Sequence, residues 1–420
     1  MTKTEIIQAA FKVWGEALYR TTSLSKLSAS LNVTKAALYH HFKNKENLLE
    51  AMYDAYFDSV SDCLRPCIAE TLKRAESGAD FHGLLEAYLR INTEITGFFA
   101  NNPWYFTFSL IKVYGNKKLK PDASERMRER GVDFEKMLRI EKSVNSENSY
   151  PSLFHLIFSA SICMMAYLLR AMYIKGETES AGAEITEKID DFVRRGIGFD
   201  SEKIQAMNWE ALEKAAAWRE NSGGGGGRRK LIEAAASVIA AVGPWSASMS
   251  MIAEKSGLSK SGLYAHFKSK QDILYQLFEG ELEEAIRHAR TAVGKSDIPE
   301  EQLYLAIRAL ESFLTSRPEF LSAISKLKTR GFDFGRKDCP TEDMREHHEK
   351  HQKIMGRIFS GIKNASGKAL IDETMTLVIL FILTDTLIQK PAFMDYKSIP
   401  DESFRTLYKF IALGIEYARF

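Results

Sequence analysis

A chain of 420 residues is too long for one small domain and suits two units of about 200 residues, each able to bury its own core. Hydrophobic residues make up 45% and charged residues 27%, with a net charge of +2, which is ordinary for a soluble globular protein and excludes a fibrous or disordered chain. Positive charge is concentrated in two places. Residues 1–50 hold seven Lys or Arg against four Asp or Glu, and residues 228–275 hold seven against three. Such clusters are what binding to a polyanion requires.

Each of these two segments opens with a pattern of three short helices. The predicted ranges are Lys3–Leu18, Ser23–Leu31 and Thr34–Phe42 in the first segment, and Arg228–Val242, Ser248–Ser256 and Ser259–Phe267 in the second. Asn32 and Gly257 fall at the turn before the third helix, where a residue that tolerates positive φ is expected. Thr34 and Ser259 are the predicted N-caps of the third helix.

A long amphipathic helix is predicted after each set of three, over Lys45–Ala75 and Lys270–Val293, and Pro66 is expected to bend the first of them. Each half then closes with a long apolar helix followed by a shorter one. These pairs are predicted over Pro151–Lys175 with Ala183–Phe199, and over Ala369–Gln389 with Asp401–Phe420. The closing helices share a Gly-Ile step, Gly196-Ile197 and Gly414-Ile415. This step indicates that the repeat extends over both whole halves.

A short connecting segment lies between the halves. Asn208–Glu220 is predicted as a helix capped by Asn208, with Trp209, Leu212 and Trp218 available to dock. It is followed by Ser222–Gly227, whose five glycines form a flexible tether. The glycine run is compatible with a natural tether and with an engineered joint.

No membrane or secretory segment is predicted. Residues 6–14 already form an amphipathic helix, which excludes a signal peptide there. The apolar stretch Leu153–Ile174 contains His155 and Arg170, and Thr376–Thr384 is too short to span a bilayer, so both are interpreted as buried helices. The expected localisation is cytoplasmic.

Neither the cysteines nor the histidines predict a cofactor site. Cys63, Cys67, Cys163 and Cys339 fit no zinc or disulfide spacing and are interpreted as reduced thiols. His347, His348 and His351 could bind a metal, but the segment is so charged that a solvated helix is favoured. We therefore predict no metal, no cofactor and, since no catalytic set is visible, no enzyme activity.

The two halves carry one signature at a constant offset of 225 residues. It runs from Thr34 to Lys45 as TKAALYHHFKNK and from Ser259 to Lys270 as SKSGLYAHFKSK. From Glu5–Leu49 to Lys230–Leu274 the register holds without a gap, and 14 of 45 aligned residues are identical. The signature resembles that of the tetracycline-repressor (TetR) family of bacterial transcriptional regulators.

The resemblance implies an all-α fold with two TetR-like units, each an N-terminal helix-turn-helix head followed by a helical domain for effector binding and dimerisation. The expected domains are a first head at 1–50, a first C-terminal domain at 51–200, a linker at 201–227, a second head at 228–275 and a second C-terminal domain at 276–420. Two joined copies would form a single-chain pseudo-dimer, so a monomer is expected, with a homodimer as the alternative.

The third helix of each head would enter the major groove of operator DNA, while the second helix and the start of the long helix would contact phosphates. The predicted DNA-binding residues of the first head are Thr22, Ser23, Thr34, Lys35, Ala36, Ala37, Tyr39, His40, His41 and Lys45. Those of the second head are Ser248, Ser259, Lys260, Ser261, Gly262, Tyr264, His266 and Lys270. Leu38 with Phe42, and Leu263 with Phe267, are expected to face the core of each head.

The base-facing residues differ between the heads, which predicts an asymmetric operator. The differing pairs are Ala36 and Ser261, Ala37 and Gly262, and His40 and Ala265. The predicted function is a repressor released by a small apolar effector through a change in the spacing of the heads. One alternative is a DNA-binding architectural or partner-binding protein without an effector, and another is an interaction protein whose second head is vestigial. The residues that bind the effector are not identified from the sequence.

Overall fold

The computed structural model describes residues 1–16, 19, 23–76, 78, 81–114, 120–144, 151–175, 182–217, 227–243, 246–328, 354, 356–363, 366–389 and 398–417. Its contacts divide the chain into two compact units, Met1–Asp191 and Phe192–Phe420. The predicted all-α fold is confirmed: within the described ranges, the one β-type pairing is an isolated bridge between Lys363 and Ala369. No helix in this described part has the length and apolar character needed to cross a membrane.

The helices of the first unit follow one another with short connections. They are α1 (Lys3–Glu16), α2 (Leu24–Ser30), α3 (Lys35–His41), α4 (Lys45–Glu76), α5 (Phe81–Asn101), α6 (Pro103–Phe108), α7 (Lys120–Glu129), α8 (Phe134–Val144), α9 (Leu153–Lys175) and α10 (Gly182–Arg195). A π-helical turn, Ser109–Tyr114, continues α6. The last four residues of α10 belong to the second unit. Helix α4 includes Pro66, and the bend expected there stays a prediction.

The second unit begins with two short helices of the connecting segment. Its helices are α11 (Ser201–Gln205), α12 (Trp209–Ala216), α13 (Gly227–Val242), α14 (Met249–Ser256), α15 (Lys260–Tyr264), α16 (Lys270–Val293), α17 (Pro299–Thr315), α18 (Pro318–Lys328), α19 (Glu373–Gln389) and α20 (Asp401–Leu413). A 3₁₀ turn, Ile415–Tyr417, follows. The predicted long helix Lys270–Val293 has the bounds that were expected.

An aromatic cluster joins the first helix of the first unit to the rest of that unit. The ring of Phe11 in α1 stacks on Tyr105 at 4.2 Å and meets Phe108 edge-on at 5.0 Å between ring centroids. The amide of Gln8 donates to the hydroxyl of Tyr105 at 2.8 Å. Tyr56 of α4 donates to Ser109 at 2.8 Å, which fixes the π-helical turn beneath the cluster. Because α1 packs on both α4 and α6, a movement of α6 would be transmitted to α1.

The same arrangement occurs in the second unit, where α13 packs on α16 and on α18. Helices α6 and α18 both begin with proline, whose fixed φ suits the first helical position. In the second unit, Phe313 and Leu314 of α17 and Phe320 of α18 are buried. Aromatic side chains therefore form part of the core in both units.

The connecting segment docks on the second unit, as Trp209 and Leu212 predict; Trp218 and the glycine run lie outside the described residues. Asn208 caps α12 by accepting from the amide of Ala211 at 3.2 Å. The Trp209 ring contacts Tyr304 at 5.1 Å and Tyr408 at 5.9 Å between centroids. Leu212 is buried. The segment is thus a layer of the second unit, and the proposed five-part domain division stays a prediction.

A partly buried ion pair, with the side chains of Arg405 and Glu213 34% and 15% exposed, fixes α12 in place. Both Nε and Nη2 of Arg405 donate to Oε1 of Glu213, at 3.0 and 2.8 Å. The hydroxyl of Tyr304 donates to the same oxygen at 3.2 Å. Burial, together with the Glu213 carboxylate, raises the pKa of Tyr304, so its hydroxyl stays protonated and remains a donor.

We expect Glu213→Gln to destabilise the second unit by about 1–2 kcal/mol, because the charge-assisted bonds of Arg405 to Oε1 become bonds to a neutral oxygen. Hydrogen exchange of α12 and α20 would measure the change. Glu210→Gln on the same helix is the control, since Glu210 is 78% exposed in its pair with Lys214 and should change stability by less than about 0.5 kcal/mol. Equal effects of the two substitutions would contradict a specific role for Glu213.

The closing helices α10 and α20 cross at equivalent residues. Phe192 and Phe410, each four residues before the Gly of the Gly-Ile step, meet edge-on at 5.9 Å. The amide of Ile197 donates to the carbonyl of Ile411 at 2.9 Å, and that of Gly198 donates to the carbonyl of Ala412 at 3.0 Å. Gly196 and Gly414 both have positive φ, 61° and 88°. The end of the first copy is therefore paired with the end of the second copy, with Phe192 and Phe410 at equivalent positions.

Candidate nucleic-acid interface

The first head is built around capped short helices. Ser23 accepts from the amide of Lys26 at 3.3 Å and begins α2. Thr34 accepts from the amide of Ala37 at 3.2 Å and begins α3, as predicted. Asn32 has a φ of 54°, which confirms the expected left-handed turn. These bonds satisfy amides that a helix start leaves free, so the orientation of α3 is fixed by local sequence.

The second head repeats this construction. Ser248 accepts from Met251 at 3.2 Å, and Ser259 accepts from Gly262 at 3.0 Å. Gly257 has a φ of 72° at the turn between α14 and α15. The predicted N-cap at Ser259 is thus confirmed.

Each third helix buries one face and exposes the other. Leu38 and Leu263 are 2% and 0% exposed, and Phe42 and Phe267 are also buried, which confirms the predicted core face. On the opposite face, Tyr39 and Tyr264 are 52% and 47% exposed. Large aromatic side chains with this exposure at matching positions are available to a partner.

The other predicted contact residues lie on or beside these exposed faces. Lys35, Ala36, His40, Lys260, Ser261 and His266 are exposed, while Ala37, His41, Lys45, Gly262 and Lys270 are half-buried. Thr22 lies outside the described residues. Contact of these residues with DNA stays a prediction.

The second recognition helix is shorter than predicted. Helix α15 ends at Tyr264, whereas α3 runs to His41. Just after α15, the amide of His266 donates to the carbonyl of Leu263, three residues back, at 3.0 Å, which tightens the chain into a turn. Glycine at position 262 lowers helix stability by about 1 kcal/mol relative to the alanine of the first head. The heads therefore differ in backbone shape as well as in side chains.

The hydroxyl of Ser261, a residue predicted to face the bases, already forms a hydrogen bond. The Ser261 and Ser259 hydroxyls lie 3.0 Å apart in a hydrogen bond. The hydroxyl of Ser261 is therefore shared between this bond and any further partner.

The caps of the long helices were missed in the sequence. Asn44 accepts from the amide of Asn47 at 2.8 Å, and Ser269 accepts from that of Asp272 at 3.1 Å. Both residues precede the signature lysine, Lys45 or Lys270, which becomes the first residue of α4 or α16. An Asn or Ser just before a charged helical run was the signal that could have identified them.

No metal site accompanies this interface in the described ranges, where no three His, Cys, Asp or Glu side chains are grouped to hold an ion. The segment with His347, His348, His351 and Cys339 lies outside those ranges.

The heads match a family model described as "Bacterial regulatory proteins, tetR family", at residues 6–52 and again at 231–277. The transposon Tn10 TetC protein of Escherichia coli is 37% identical over 68 residues, covering 14% of this chain and 34% of that protein. The biofilm operon negative regulator IcaR of Staphylococcus epidermidis is 32% identical over 84 residues, covering 20% and 42%. The chain thus matches less than half the length of either relative.

Two solved structures of regulators named FadR match parts of this chain. FadR from Bacillus subtilis, in complex with stearoyl-CoA, is 20% identical with a TM-score of 0.34, over 44% of this chain and 98% of that one. FadR from Bacillus halodurans is 17% identical with a TM-score of 0.35, over 47% and 100%.

Proposed function

Because the chain belongs to the tetR family of bacterial regulatory proteins and carries that family's N-terminal domain twice, we propose that it is a DNA-binding transcriptional regulator with both heads in one polypeptide. The observation that carries this proposal is the matched exposed face of α3 and α15. Each presents a lysine, a tyrosine and a cap hydroxyl outward, while its leucine and phenylalanine hold the head together.

Phosphate contact would position the heads on the duplex. Lys35 and Lys260 follow the caps directly, and Lys45 and Lys270 begin the long helices, so four cations flank the two recognition faces. Cations at such places neutralise phosphates and release counterions, which makes binding fall with salt. Base reading would rest on the residues between them.

Two unlike heads would read an operator with two unlike halves. A homodimer presents one head twice and therefore selects a palindrome. Here Ala36, Ala37 and His40 in the first head replace Ser261, Gly262 and Ala265 in the second. The pairing of Phe192 with Phe410 supports a single-chain pseudo-dimer, because equivalent residues of the two copies meet.

Repression relieved by a small effector is the regulatory mode that we propose. The support is the packing of α1 on α4 and α6, and of α13 on α16 and α18, which links each head to the helices behind it. An effector that favours one arrangement of those helices would oppose operator binding, typically by about 1–3 kcal/mol. The alternative without an effector is favoured by the buried rings of Phe108 and Phe313, which fill core space. A thermal-shift screen with small apolar molecules separates the two, since stabilisation by none of them supports the alternative.

The DNA-binding proposal is tested by disabling one head at a time. Lys35→Ala with Tyr39→Ala, or Lys260→Ala with Tyr264→Ala, should lower affinity for a selected operator by about tenfold or more and reduce the salt slope by about one per lost phosphate contact. Footprinting should show loss of protection over one half of the site, a different half for each variant.

Tyr417→Ala is the matched control, because Tyr417 is also about half exposed, at 49%, but lies outside the heads. It should leave affinity and footprint unchanged. Full protection of both halves by either head variant would refute the proposal.

A further inference from the structure

Helix α4 of the first unit carries two cysteines one turn apart. Cys63 and Cys67 are four residues apart, so they lie on the same face of the helix, with Cβ atoms about 5–6 Å from each other. Both are free thiols. Cys63 is half-buried, and Cys67 is 5% exposed. We call this pair the α4 dithiol.

Helix α5 packs against this face of α4 and runs in the opposite direction. The Sγ of Cys63 donates to the backbone carbonyl of Glu94 at 3.6 Å. The guanidinium of Arg90 lies beside the thiol of Cys67 and also pairs with Glu70 of α4 at 2.6 Å. The side chains of Arg90 and Glu94 are exposed. The dithiol therefore lies at the edge of the interface between α4 and α5, next to two long side chains that can move.

The two thiols cannot form a disulfide while this turn of α4 is intact. A disulfide needs Cβ atoms about 3.5–4.5 Å apart, which is shorter than the spacing of residues one turn apart in a helix. A bridge with one additional atom between the sulfurs is longer and suits the wider spacing. Zinc sites use four ligands, whereas no group of three His, Cys, Asp or Glu side chains is placed to hold an ion in the described ranges. The pair therefore suits an atom that bonds to two sulfurs.

Both thiols stay protonated at neutral pH. Burial raises the pKa of Cys63 to about 11, and Glu94 and Cys67 add to this increase, which places the two sulfur atoms close to each other. Burial also raises the pKa of Cys67, although Arg90 opposes the increase. A metal cation would have to displace both protons, since cysteine binds metals as the thiolate. A reagent that condenses with protonated thiols avoids this cost.

We propose that the α4 dithiol binds a trivalent organoarsenical, R–As(OH)₂, as a cyclic dithioarsenite. Two As–S bonds form and two As–OH bonds break, and each thiol proton leaves with a hydroxide as water. Arsenic stays trivalent, so no oxidant or reductant is required. The net charge does not change, which suits a partly buried pair beside a carboxylate. Cys63 reacts first because its thiol is more exposed, and Cys67 then closes the ring.

Such a bridge would span the weakest turn of α4. Pro66 lies between the two cysteines and has no amide hydrogen to donate to the carbonyl of Asp62, so this turn lacks one backbone hydrogen bond. A ring that joins Cys63 to Cys67 would hold the turn in one conformation. Helix α4 begins at Lys45 and packs on α1, so a change in its bend would reach the first head. This regulatory consequence rests on the proposed function, whereas binding of the arsenical does not.

Native mass spectrometry of the full chain, reduced with a phosphine and incubated with phenylarsine oxide, tests the proposal. We expect one phenylarsenic group per chain and the loss of two titratable thiols. Cys63→Ser and Cys67→Ser should each weaken binding by about 100-fold or more, because the second bond of the chelate is lost. Cys163→Ser is the matched control, since Cys163 is also a buried free thiol in the first unit but has no second cysteine one turn away. It should leave binding unchanged.

The unaltered chain supplies a second measurement that does not depend on the folding of any variant. Dithiothreitol should release the phenylarsenic group, whereas mercaptoethanol at the same thiol concentration should not. Release by both reagents alike would indicate a single As–S bond and would overturn the proposal. Binding that survives Cys63→Ser or Cys67→Ser, or that is lost in Cys163→Ser, would also overturn it. These measurements contain no DNA, so failure of the operator-binding proposal in the head-disabling experiment would leave them standing.

Discussion

Gly414→Ala is expected to disrupt the second unit strongly. Gly414 has φ 88° and ψ −179°, a conformation that is essentially restricted to glycine. A Cβ atom there would overlap the backbone carbonyl of Arg194, which belongs to the crossing helix end and cannot swing aside as a side chain could. Backbone strain and the steric overlap together should cost about 3–5 kcal/mol.

Hydrogen exchange followed by mass spectrometry measures this loss unit by unit. Protection should fall in 192–217 and 401–413 and remain in α4 and α5 of the first unit. Gly280→Ala is the control, since Gly280 lies within α16 and nothing lies within 4 Å of the position of its added Cβ. That substitution should stabilise α16 by up to about 1 kcal/mol. Unchanged protection around Gly414→Ala would show that the crossing does not form.

Giving the first head the predicted base-facing residues of the second head should change which operator is selected. The triple variant Ala36→Ser, Ala37→Gly and His40→Ala makes these residues identical in the two heads. We expect selection from random DNA to change from two unlike halves to two like halves. Affinity for the original site should fall by about 10- to 100-fold, since each mismatched base pair costs about 1–3 kcal/mol.

Lys45→Gln is the control for this experiment. Lys45 is proposed to contact a phosphate, so its replacement should weaken binding to the original and to the new operator by the same factor. The ratio of the two affinities should therefore stay unchanged. If the unaltered chain selects a perfect palindrome that tolerates mutation equally in both halves, the asymmetric reading is wrong.

The short-range features of the heads could be read from the sequence because they depend on neighbouring residues. Thr34 and Ser259 cap helices through amides three residues away, and Asn32 and Gly257 supply the positive φ that the turn requires. The core face of α3 follows from the four-residue spacing of Leu38 and Phe42. The shortening of α15 could have been anticipated from Gly262, whose cost in a helix is known.

The long-range features could not be read in the same way. The Gly-Ile steps were recognised as markers of the repeat, but the contact of Gly414 with Arg194 depends on how two helix ends cross. Trp209 was expected to dock, yet nothing in the sequence identifies Tyr304 and Tyr408 as its partners.

The docking of α12 also determines the order in which the chain can mature on the ribosome. Glu213 and its partner Arg405 are 192 residues apart, so at about 5–20 residues per second the tail of the first copy waits roughly 10–40 s for its last partner to be synthesised. During that interval Trp209 has no completed surface to cover. A second copy expressed from the glycine run onward would lack α11 and α12 and would expose the rings of Tyr304 and Tyr408. The two halves are therefore synthesised one after the other. Dividing the chain at the glycine run would nevertheless remove α11 and α12 from the second unit, on which they pack.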